Sequence, residues 1–512
     1  MRTGGTLLAA AALLVSACSP GGSTTARTAL AALPQSPPSA LARYYTQKLT
    51  WRTCGVPGFQ CATMKAPRDY AKPGAGDDVR LAVARKRATG QGRPLGSLLV
   101  NPGGPGGSAV GYLEQYAGVG YPAEIRARYD MVAVDPRGVA HSEPVECLDG
   151  PRMDAYAQTD ITPDGPAETR RLVDAFKRFA EGCGRHSAAL LRHVSTVEAA
   201  RDMDILRGVL GDRRLNYVGA SYGTFLGGTY AGLFPQRVGR MVLDGAMDPA
   251  LSARRLNQEQ TAGFETAFQS FAKDCVRRSD CPLGGPGTSP AKVGDKLKAF
   301  FKKLDASPIP TGDADGRRLG EALATTGVIA AMYDEAAWPR LRQALTSAMK
   351  NRDGAGLLML SDSYYERDAG GRYSNLMFAN AAVNCLDLPP AFSGPEDVEK
   401  ALPTFEKASP VFGRGLAWAS LSCAYWPVRA TGRPHRIQAK GAAPIVVVGT
   451  TRDPATPYRW ARSLASQLSS GRLLTYDGDG HTAYGRGSRC VDSTIDAYLL
   501  RGTPPAKGKR CS

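Results

Sequence analysis

The pentapeptide Gly-Ala-Ser-Tyr-Gly at residues 219–223 contains residue types that can perform nucleophilic chemistry. It follows a short apolar run at residues 215–218 and precedes residues 224–230, which can begin a helix. A serine between two glycines in a strand-turn-helix setting is typical of a nucleophile elbow, because the glycines permit the sharp turn that presents the hydroxyl. We therefore predict that Ser221 is a nucleophile. The alternative is a glycine-rich turn that exposes an ordinary serine.

A serine nucleophile needs a general base, and the base needs an acid that orients it. In chains with this elbow, the acid and then the histidine follow the serine along the sequence. Two histidines follow Ser221. His481 lies on a glycine-rich loop directly after an apolar strand, whereas His435 lies in a segment typical of a surface linker. We predict that His481 is the base.

The acid is chosen among aspartates that follow predicted strands. Asp453 comes directly after the strand that precedes the histidine loop, and a carboxylate there can hold the imidazole and stabilise its protonated form. Asp244 and Asp248 follow the strand before that and are the alternatives. Asp479 is interpreted as a turn residue. We predict that Asp453 is the acid.

A second glycine-rich stretch, Asn-Pro-Gly-Gly-Pro-Gly-Gly-Ser at residues 101–108, follows an apolar strand at residues 96–100. Its missing side chains expose backbone N–H groups, which an oxyanion hole requires. A phosphate-binding loop is disfavoured because the Lys and the following Ser/Thr of that motif are absent. We predict that the backbone N–H groups of Gly104 and Tyr222 bind the oxyanion.

The elements that would position these residues alternate between strands and helices. Apolar strands are predicted at residues 96–100, 129–135, 215–218, 240–244, 444–449 and 472–476. Residues 196–206, by contrast, repeat apolar side chains at helical spacing. Such alternation implies a mostly parallel sheet covered on both faces. Together with the elbow it predicts the α/β class and, within it, the α/β-hydrolase fold.

The alternation stops after residue 246 and resumes after residue 434. The segment between them is dominated by helical patterns, which predicts a helical cap inserted above the strand ends, where such folds place their pockets. The predicted organisation is a signal peptide with a lipobox at residues 1–18, a flexible linker at 19–45, the first part of the hydrolase core at 46–246, the cap at 247–434 and the second part of the core at 435–512.

The N-terminus is typical of an export signal. Arg2 precedes a short apolar run at residues 7–15, and Val-Ser-Ala-Cys at residues 15–18 resembles a bacterial lipobox. This predicts lipidation of Cys18 and anchoring to a membrane, with an ordinary signal peptide cleaved nearby as the alternative. No later run is long and apolar enough to span a bilayer. We expect an exported protein, either a membrane lipoprotein or a secreted protein of the cell envelope.

The ten cysteines other than Cys18 are an even number, which suits disulfides in an exported chain. Local spacing suggests the pairs Cys54 with Cys61, Cys147 with Cys183, Cys275 with Cys281, Cys385 with Cys423, and Cys490 with Cys511, although spacing does not prove the pairing. A zinc site is disfavoured because no C-x-x-C is present and the histidines do not cluster near the cysteines.

The formal charge of +17 comes from scattered basic residues. Such a surface favours anionic surroundings, such as a cell wall or anionic lipid. A nucleic-acid partner is not expected, because no block of Lys and Arg is interleaved with aromatic residues.

Several motifs together resemble secreted bacterial tripeptidyl aminopeptidases, relatives of the proline iminopeptidases. These motifs are Pro-Gly-Gly-Pro-Gly at residues 102–106, Asp-Pro-Arg-Gly at 135–138, the elbow at 219–223, Asn-Cys-Leu-Asp at 384–387, Arg-Asp-Pro-Ala-Thr-Pro at 452–457 and Gly-His at 480–481. The resemblance extends from about residue 49 to the C-terminus. It implies hydrolysis of peptides from a free N-terminus, usually with release of tripeptides.

The chain departs from the family pattern in two places. Ala140-His141-Ser142 stands where the family usually has a further glycine before the serine. Asn101-Pro102 stands where the glycine-rich loop of proline iminopeptidases usually begins with histidine, so proline specificity is not carried over.

An aminopeptidase also needs a group that holds the substrate ammonium, ordinarily a carboxylate in a partly dry pocket. Glu335 and Asp387 are the candidates in the predicted cap, and a surface or helix-capping role is the alternative for each.

The expected mechanism is acyl transfer through Ser221 with His481 as base, and it requires no metal or organic cofactor. The alternatives are an esterase or lipase of the same fold, an aminopeptidase that removes single residues, and a catalytically inactive binding lipoprotein.

Overall fold

The computed structural model describes residues 28–76 and 78–512. The predicted signal peptide, the lipidation site Cys18 and the first part of the predicted linker lie outside these residues.

The second part of the predicted linker, residues 28–45, packs on the folded core. The backbone N–H of Leu30 donates to the carbonyl of Arg436 at 2.8 Å. Leu41 and Tyr44 are buried, and the Tyr44 hydroxyl donates to Asp78 at 2.6 Å. Residues 28–45 therefore belong to the folded domain, because burial of these apolar side chains offsets the entropy lost on ordering the segment.

Ten strands of the described chain form one sheet. They are β1 (Arg52–Thr53), β2 (Gln60–Pro67), β3 (Asp78–Lys86), β4 (Ser97–Asn101), β5 (Asp130–Val134), β6 (Leu215–Ala220), β7 (Val238–Asp244), β8 (Ile445–Arg452), β9 (Gly471–Asp479) and β10 (Arg510–Cys511). Their order is β1-β2-β3-β5-β4-β6-β7-β8-β9-β10. The strands from β5 to β10 in that order pair in parallel, while β1, β2 and β3 pair antiparallel. The predicted α/β fold with a mostly parallel sheet is confirmed.

The central strands bury both faces, which explains their nearly continuous apolar sequences. Alternate residues of one strand enter different hydrophobic clusters, because side chains alternate between the two faces of a strand. In β8, Ile445 and Val447 pack in the cluster on one face, and Val446 and Val448 pack in the cluster on the other. Helices cover both clusters.

The helices preceding the cap region are α1 (Ala42–Tyr45), α2 (Ala109–Tyr112), α3 (Gly118–Gly120), α4 (Ala123–Arg128), α5 (Gly150–Ala157), α6 (Pro166–Ser187), α7 (Thr196–Val209) and α8 (Tyr222–Leu233). Those between β7 and β8 are α9 (Ala253–Cys275), α10 (Pro290–Ala306), α11 (Glu321–Met332), α12 (Trp338–Asn351), α13 (Ala355–Tyr365), α14 (Leu376–Asp387), α15 (Pro395–Ala408) and α16 (Gly413–Ala419). The last two are α17 (Tyr458–Gln467) and α18 (Arg489–Arg501).

The segment between β7 and β8 contains α-helices and short 3₁₀ turns, and no named strand is described in it. Helices α9 to α13 share a hydrophobic cluster of their own, which includes Phe268, Leu297, Val328 and Leu345. Helix α14 differs from them because its buried side chains join the cluster of the central sheet. A cap with a separate core therefore sits beside a helix that belongs to the core of the hydrolase domain.

Five disulfides connect the same cysteines that local spacing suggested. They join Cys54 to Cys61, Cys147 to Cys183, Cys275 to Cys281, Cys385 to Cys423, and Cys490 to Cys511. Within the described ranges, none of the helices combines the length and hydropathy that crossing a bilayer requires.

The Asp-Pro-Arg-Gly motif at residues 135–138 holds β5 against α7. The buried Arg137 guanidinium makes two hydrogen bonds of 2.7 Å to the carboxylate of Asp202. Its other N–H groups donate to the backbone carbonyls of Pro67, Arg68 and His193. All five guanidinium donors are satisfied, which is the condition under which a buried charge is tolerated.

We predict that Arg137→Met lowers the free energy of unfolding by about 3–5 kcal/mol, because it leaves the Asp202 carboxylate buried without its cation. The measurement is urea unfolding with the disulfides intact. The matched control is Arg152→Met, since the Arg152 ion pair with Asp149 is exposed and its loss costs about 1 kcal/mol or less. Equal losses for the two variants would contradict the structural role of Arg137.

Candidate active site

Ser221 sits at a sharp turn between β6 and α8. Its φ of 56° and ψ of −125° lie in a region that side chains other than glycine rarely adopt, at a cost of about 1–3 kcal/mol. Both flanking positions require glycine, because backbone atoms of other residues approach them closely. A Cβ on Gly219 would lie 2.4 Å from the carbonyl oxygen of Gly223, and one on Gly223 would lie 2.8 Å from that of Asn101. The strained serine is thus held by backbone packing on both sides.

His481, which is partly buried, and Asp453, which is buried, form a pair on neighbouring loops. Nδ1 of His481 lies 2.9 and 3.0 Å from the two carboxylate oxygens of Asp453. Because a carboxylate accepts hydrogen bonds, Nδ1 carries the hydrogen in this contact. Nε2 is then unprotonated and can accept a proton. Among the described atoms, Nε2 of His481 is buried and has no hydrogen-bond partner. The pair has the arrangement required of a general base and its orienting acid.

The loop after β8 satisfies the carboxylate of Asp453. The backbone N–H groups of Ala455 and Thr456 donate to Oδ1 at 2.9 and 2.8 Å. The Thr456 hydroxyl donates to Oδ2 at 2.9 Å, and the N–H of Thr482 donates to the same oxygen at 3.2 Å. These donors satisfy both oxygens of a carboxylate that is withdrawn from water, which offsets the cost of its burial.

Backbone contacts connect the histidine loop to the elbow. The N–H of Ser221 donates to the carbonyl of Asp244 at 2.9 Å. A Cβ on the next residue, Gly245, would lie 3.2 Å from Cε1 of His481, so the imidazole lies against the residue beside the elbow. On the cap side, the N–H of His481 donates to the carbonyl of Tyr333 at 2.8 Å, and the two rings meet edge to face.

The other acid candidates have different partners. Both carboxylate oxygens of Asp244 accept backbone N–H groups from Ala483 and Tyr484, so Asp244 anchors the loop that follows His481. Asp248 accepts the side-chain amide of Gln467 at 2.7 Å. Burial raises the pKa of Asp244. Of the three aspartates, Asp453 is the one bonded to His481.

His435 lies away from this constellation. Its Nδ1 donates to the carbonyl of Arg433 at 2.9 Å, and its ring packs near Phe225. Burial lowers the pKa of His435. Its described contacts do not include the nucleophile or the three candidate acids.

The first glycine-rich loop approaches the elbow closely. A Cβ on Gly103 would lie 2.9 Å from both Cβ of Ser221 and the backbone nitrogen of Tyr222. Gly103 and Gly104 adopt φ values of 96° and 112°, which favour glycine. Gly104 lines the same cavity as Ser221. The loop that carries Gly104 and the amide that follows Ser221 therefore meet beside the serine, as an oxyanion hole requires.

Asp135 of the Asp-Pro-Arg-Gly motif secures the far end of the glycine-rich loop. Its Oδ1 accepts the Ser108 hydroxyl at 2.9 Å and the N–H of Val110 at 3.0 Å. A carboxylate at the start of α2 is stabilised by the unpaired N–H groups there. Asp135 thus fixes one end of the glycine-rich loop, while Arg137 of the same motif is bonded to α7.

A cavity of about 420 Å³ lies between the sheet and the cap, with Ser221 in its wall. Its lining is largely apolar and aromatic, and includes Tyr156, Phe176, Phe179, Phe264, Ile329, Tyr364, Trp426 and Trp460. The polar members are uncharged, and include Asn257, Gln260, Thr326, Asn380 and Asn384. Within the described part of the chain, none of the lining residues carries a charged side chain. The volume suits a ligand of several residues or a comparable small molecule.

The two predicted ammonium-binding acids do not line this cavity. Glu335 is exposed on a 3₁₀ turn, Glu335–Ala337, that follows α11. Asp387 is buried at the end of α14, where it accepts the backbone N–H of Thr196 at 2.9 Å and also the Thr196 hydroxyl. Burial raises the pKa of Asp387 to about 7. Sequence alone could not distinguish these positions from a cavity wall, because both lie in helical segments of similar composition.

Among the residues that the structure describes, two groups of side chains have the spacing of potential metal ligands. One consists of Glu114 with Cys54 and Cys61, and its cysteines are joined in a disulfide. The other consists of Asp160, Asp305 and Glu321, whose carboxylate oxygens lie within 4.8 Å of one another. Burial, followed by the neighbouring carboxylates, raises the pKa of Glu321 to about 7.

Two residues of the site escaped the sequence interpretation. Thr456 bonds to Asp453 and lies 3.3 Å from Nδ1 of His481, so it stands beside the acid and the base. Its place within the Arg-Asp-Pro-Ala-Thr-Pro motif was an available signal. Tyr333 contacts His481 from the cap, and no local pattern in the sequence points to that contact.

Family models match two parts of the chain. The model described as alpha/beta hydrolase fold matches residues 96–313, and the one described as TAP-like protein matches residues 409–511.

Three relatives match over most of their length. The chain is 38% identical over 488 residues to serine protease Hip1 of Mycobacterium tuberculosis, a match that covers 91% of each chain. It is 39% identical over 458 residues to a protein of the same species named carboxylesterase B, covering 88% of this chain and 86% of the relative. It is 30% identical over 493 residues to tripeptidyl aminopeptidase of Streptomyces lividans, covering 92% and 88%.

We predict that Asp453→Asn lowers kcat by roughly 10³- to 10⁴-fold, because an amide neither holds the required tautomer of His481 nor stabilises its protonated form. Steady-state hydrolysis of a chromogenic substrate measures this effect. Ser221→Ala should abolish covalent labelling by a fluorophosphonate.

The control is Asp248→Asn, which changes a buried aspartate bonded to Gln467 rather than to His481. We expect its kcat to stay within about 3-fold of the unmodified enzyme, since no bond to the reacting groups is lost. A large loss in Asp248→Asn combined with normal activity in Asp453→Asn would reassign the acid. Labelling that survives Ser221→Ala would reassign the nucleophile.

Proposed function

We propose that this chain, which belongs to the tripeptidyl aminopeptidase-like family of α/β-hydrolases and is a serine peptidase, hydrolyses peptides from a free N-terminus. The proposed products are tripeptides, released outside the cytoplasm. The observation that carries the proposal is the strained Ser221 in the wall of a cavity between sheet and cap, with the imidazole of the His481–Asp453 pair against Gly245 beside the elbow.

The proposed mechanism follows from these contacts. Nε2 of His481 takes the proton of the Ser221 hydroxyl as the oxygen attacks the scissile carbonyl carbon. The backbone N–H groups of Gly104 and Tyr222 donate to the tetrahedral oxyanion. His481 then protonates the leaving amine, which departs with the C-terminal part of the peptide and leaves an acyl-enzyme. Water, deprotonated by His481, attacks this ester, and collapse of the second tetrahedral intermediate returns the proton to Ser221.

The dimensions of the cavity support release of a short peptide. About 420 Å³ is enough for a few residues on the acyl side of the scissile bond. The aromatic walls favour bulky apolar side chains at these positions, since burial of each such side chain contributes about 1.5–3 kcal/mol.

A free N-terminus requires an anionic partner, and we propose Asp160 and Glu321 for this role in place of Glu335 and Asp387. Thr159 and Ile161 flank Asp160, and both line the cavity that contains Ser221. Ala322, which follows Glu321, lines it as well. Neither carboxylate is itself a lining residue, so the two acids adjoin this wall only through their neighbours in the chain. A substrate ammonium that reaches them would relieve the repulsion between the clustered carboxylates.

Export is supported by the disulfides, since five bridges are typical of a chain that folds in an oxidising compartment. We propose that Cys18 is lipidated and anchors the enzyme to the membrane. Mass spectrometry of the mature N-terminus tests this step.

A second candidate function is ester hydrolysis. The specific observation in its favour is the uncharged lining of the cavity, which suits neutral acyl groups. The same nucleophile and oxyanion hole serve esters and amides equally well. A relative named carboxylesterase B is in keeping with this alternative.

We predict that an unmodified decapeptide with bulky apolar residues yields successive N-terminal tripeptides, as measured by mass spectrometry of the products. Acetylation of the N-terminus should lower kcat/KM by about 10-fold or more, because the charged hydrogen bonds of the ammonium are lost. A short-chain p-nitrophenyl ester, assayed in parallel, reports on the alternative. Release of single residues, internal cleavage, or ester turnover without peptide turnover would each contradict the proposal.

We predict that Glu321→Gln raises KM for a free tripeptide p-nitroanilide by about 10-fold and leaves KM for its N-acetylated counterpart unchanged. In the unmodified enzyme, KM for the free peptide should fall as pH rises from 6 through 7, because the raised pKa of Glu321 delays formation of its carboxylate to that range. The N-acetylated substrate should not show this fall.

The comparison variant is Glu335→Gln, which removes the acid nominated from sequence and exposed outside the cavity. An increase in KM confined to Glu335→Gln would restore that assignment and remove Glu321 from the binding of the ammonium.

A further inference from the structure

Helix α14 occupies an unusual place between the sheet, the cavity and the two loops that form the proposed oxyanion hole. One face, with Phe378, Val383 and Leu386, is buried in the hydrophobic cluster of the central sheet. Another face, with Asn380 and Asn384, lines the cavity. Since residues three and four apart share a face of a helix, both faces are continuous along α14. The helix is therefore anchored in the core while it borders the site.

The first turns of α14 contact the glycine-rich loop. A Cβ on Gly106 would lie 2.4 Å from the carbonyl oxygen of Leu376, so the loop and the helix touch through backbone atoms. The side-chain amide of Asn380 donates to the carbonyl of Pro105 at 3.1 Å. Asn384 donates in turn to Oδ1 of Asn380 at 3.0 Å, which orients the Asn380 amide. The peptide segment next to Gly104 is thus held from the helix.

The last residue of α14, Asp387, is linked to Tyr222 on the other side of the proposed oxyanion hole. The buried carboxylate of Asp387 accepts both the backbone N–H and the hydroxyl of Thr196 at the start of α7. Because the Thr196 hydroxyl donates to Asp387, it accepts a hydrogen bond from the hydroxyl of Tyr222. Tyr222 is the residue whose backbone N–H is the second proposed oxyanion donor. Its buried ring is therefore tied to α14 through one intervening side chain.

Asn375, the residue before α14, makes hydrogen bonds to a third loop, the one that follows the Asp-Pro-Arg-Gly motif. The Asn375 side chain donates to the carbonyls of Gly138 and Val145 at 2.7 and 3.2 Å and accepts the N–H of Ala140 at 2.8 Å. These residues follow the Asp-Pro-Arg-Gly motif, whose Asp135 secures the far end of the glycine-rich loop.

We propose that α14 is a positioning element of the oxyanion hole, in which Asn380 sets the glycine-rich loop, and Asp387 sets Tyr222 through Thr196. Oxyanion donors lower the barrier only when they are held within a few tenths of an ångström of the position that the developing charge will occupy. A single helix that is bonded directly to the glycine-rich loop, and to Tyr222 through Thr196, fixes the distance between the two donors. Asp387 and Thr196 act through Tyr222 and touch no reacting atom.

This inference rests on the proposed oxyanion hole but is independent of whether the substrate is a peptide or an ester. The test therefore uses a p-nitrophenyl ester together with a peptidyl trifluoromethyl ketone, which forms a tetrahedral adduct with the serine. Asp387→Asn and Thr196→Val should each lower kcat by about 10- to 100-fold and raise Ki of the ketone by a similar factor, with KM within about 3-fold. Thr196→Ser, which retains the hydroxyl, should restore both quantities.

The control for simple loss of packing is Val293→Ala, which removes buried apolar volume from the separate hydrophobic cluster of the cap, on α10. We expect this variant to lower Tm while kcat and Ki stay within about 2-fold. If Asp387→Asn and Thr196→Val lower Tm without changing kcat or Ki, α14 is a structural helix only. If they change KM alone, they act on substrate binding, and the proposal fails. Activity that persists in Ser221→Ala would instead refute the proposed catalytic site itself.

Discussion

The organisation of the site depends on close backbone approach at the elbow. Gly219 and Gly223 allow the turn on which Ser221 sits, and Gly103 allows the neighbouring loop to come against Ser221 and Tyr222. Any side chain at these glycines would collide with backbone atoms, which cannot move aside as the end of a flexible side chain can. The same glycines bring the proposed nucleophile and oxyanion donors together, and they carry no side chains that could hold the turn in place. The surrounding elements must therefore supply that support.

Much of the support comes from buried, fully bonded polar groups. Asp453 accepts hydrogen bonds from its own loop and from His481, and Asp135 accepts them from the start of α2. Every N–H group of the Arg137 guanidinium donates a hydrogen bond. Each such group would be costly if one partner were missing, and each therefore admits few alternative arrangements. Burial makes these interactions strong positional constraints, whatever their net contribution to stability.

The segment inserted between β7 and β8 does more than cover the site. Its outer helices share a separate hydrophobic cluster, and Tyr333 on the cap side bonds to the backbone of the histidine loop. Helix α14, by contrast, packs in the core of the sheet, bonds to the glycine-rich loop and is linked to Tyr222 through Thr196. The inserted segment thus supplies both part of the cavity lining and bonds to the loops around Ser221, which links the shape of the cavity to the position of those loops.

The sequence by itself determined the fold class and placed the elbow motif, and it nominated a base and an acid. These features are encoded locally, in glycine placement, strand periodicity and the order of motifs along the chain. The sequence left Asp244 and Asp248 as alternatives to Asp453, because the choice depends on which loop lies beside His481. Only the tertiary structure decided that Asp387 faces Thr196 instead of the cavity, that residues 28–45 join the core, and that α14 belongs with the sheet. Those outcomes depend on contacts between residues far apart in sequence, and no local pattern specifies which distant partner a helix face will meet.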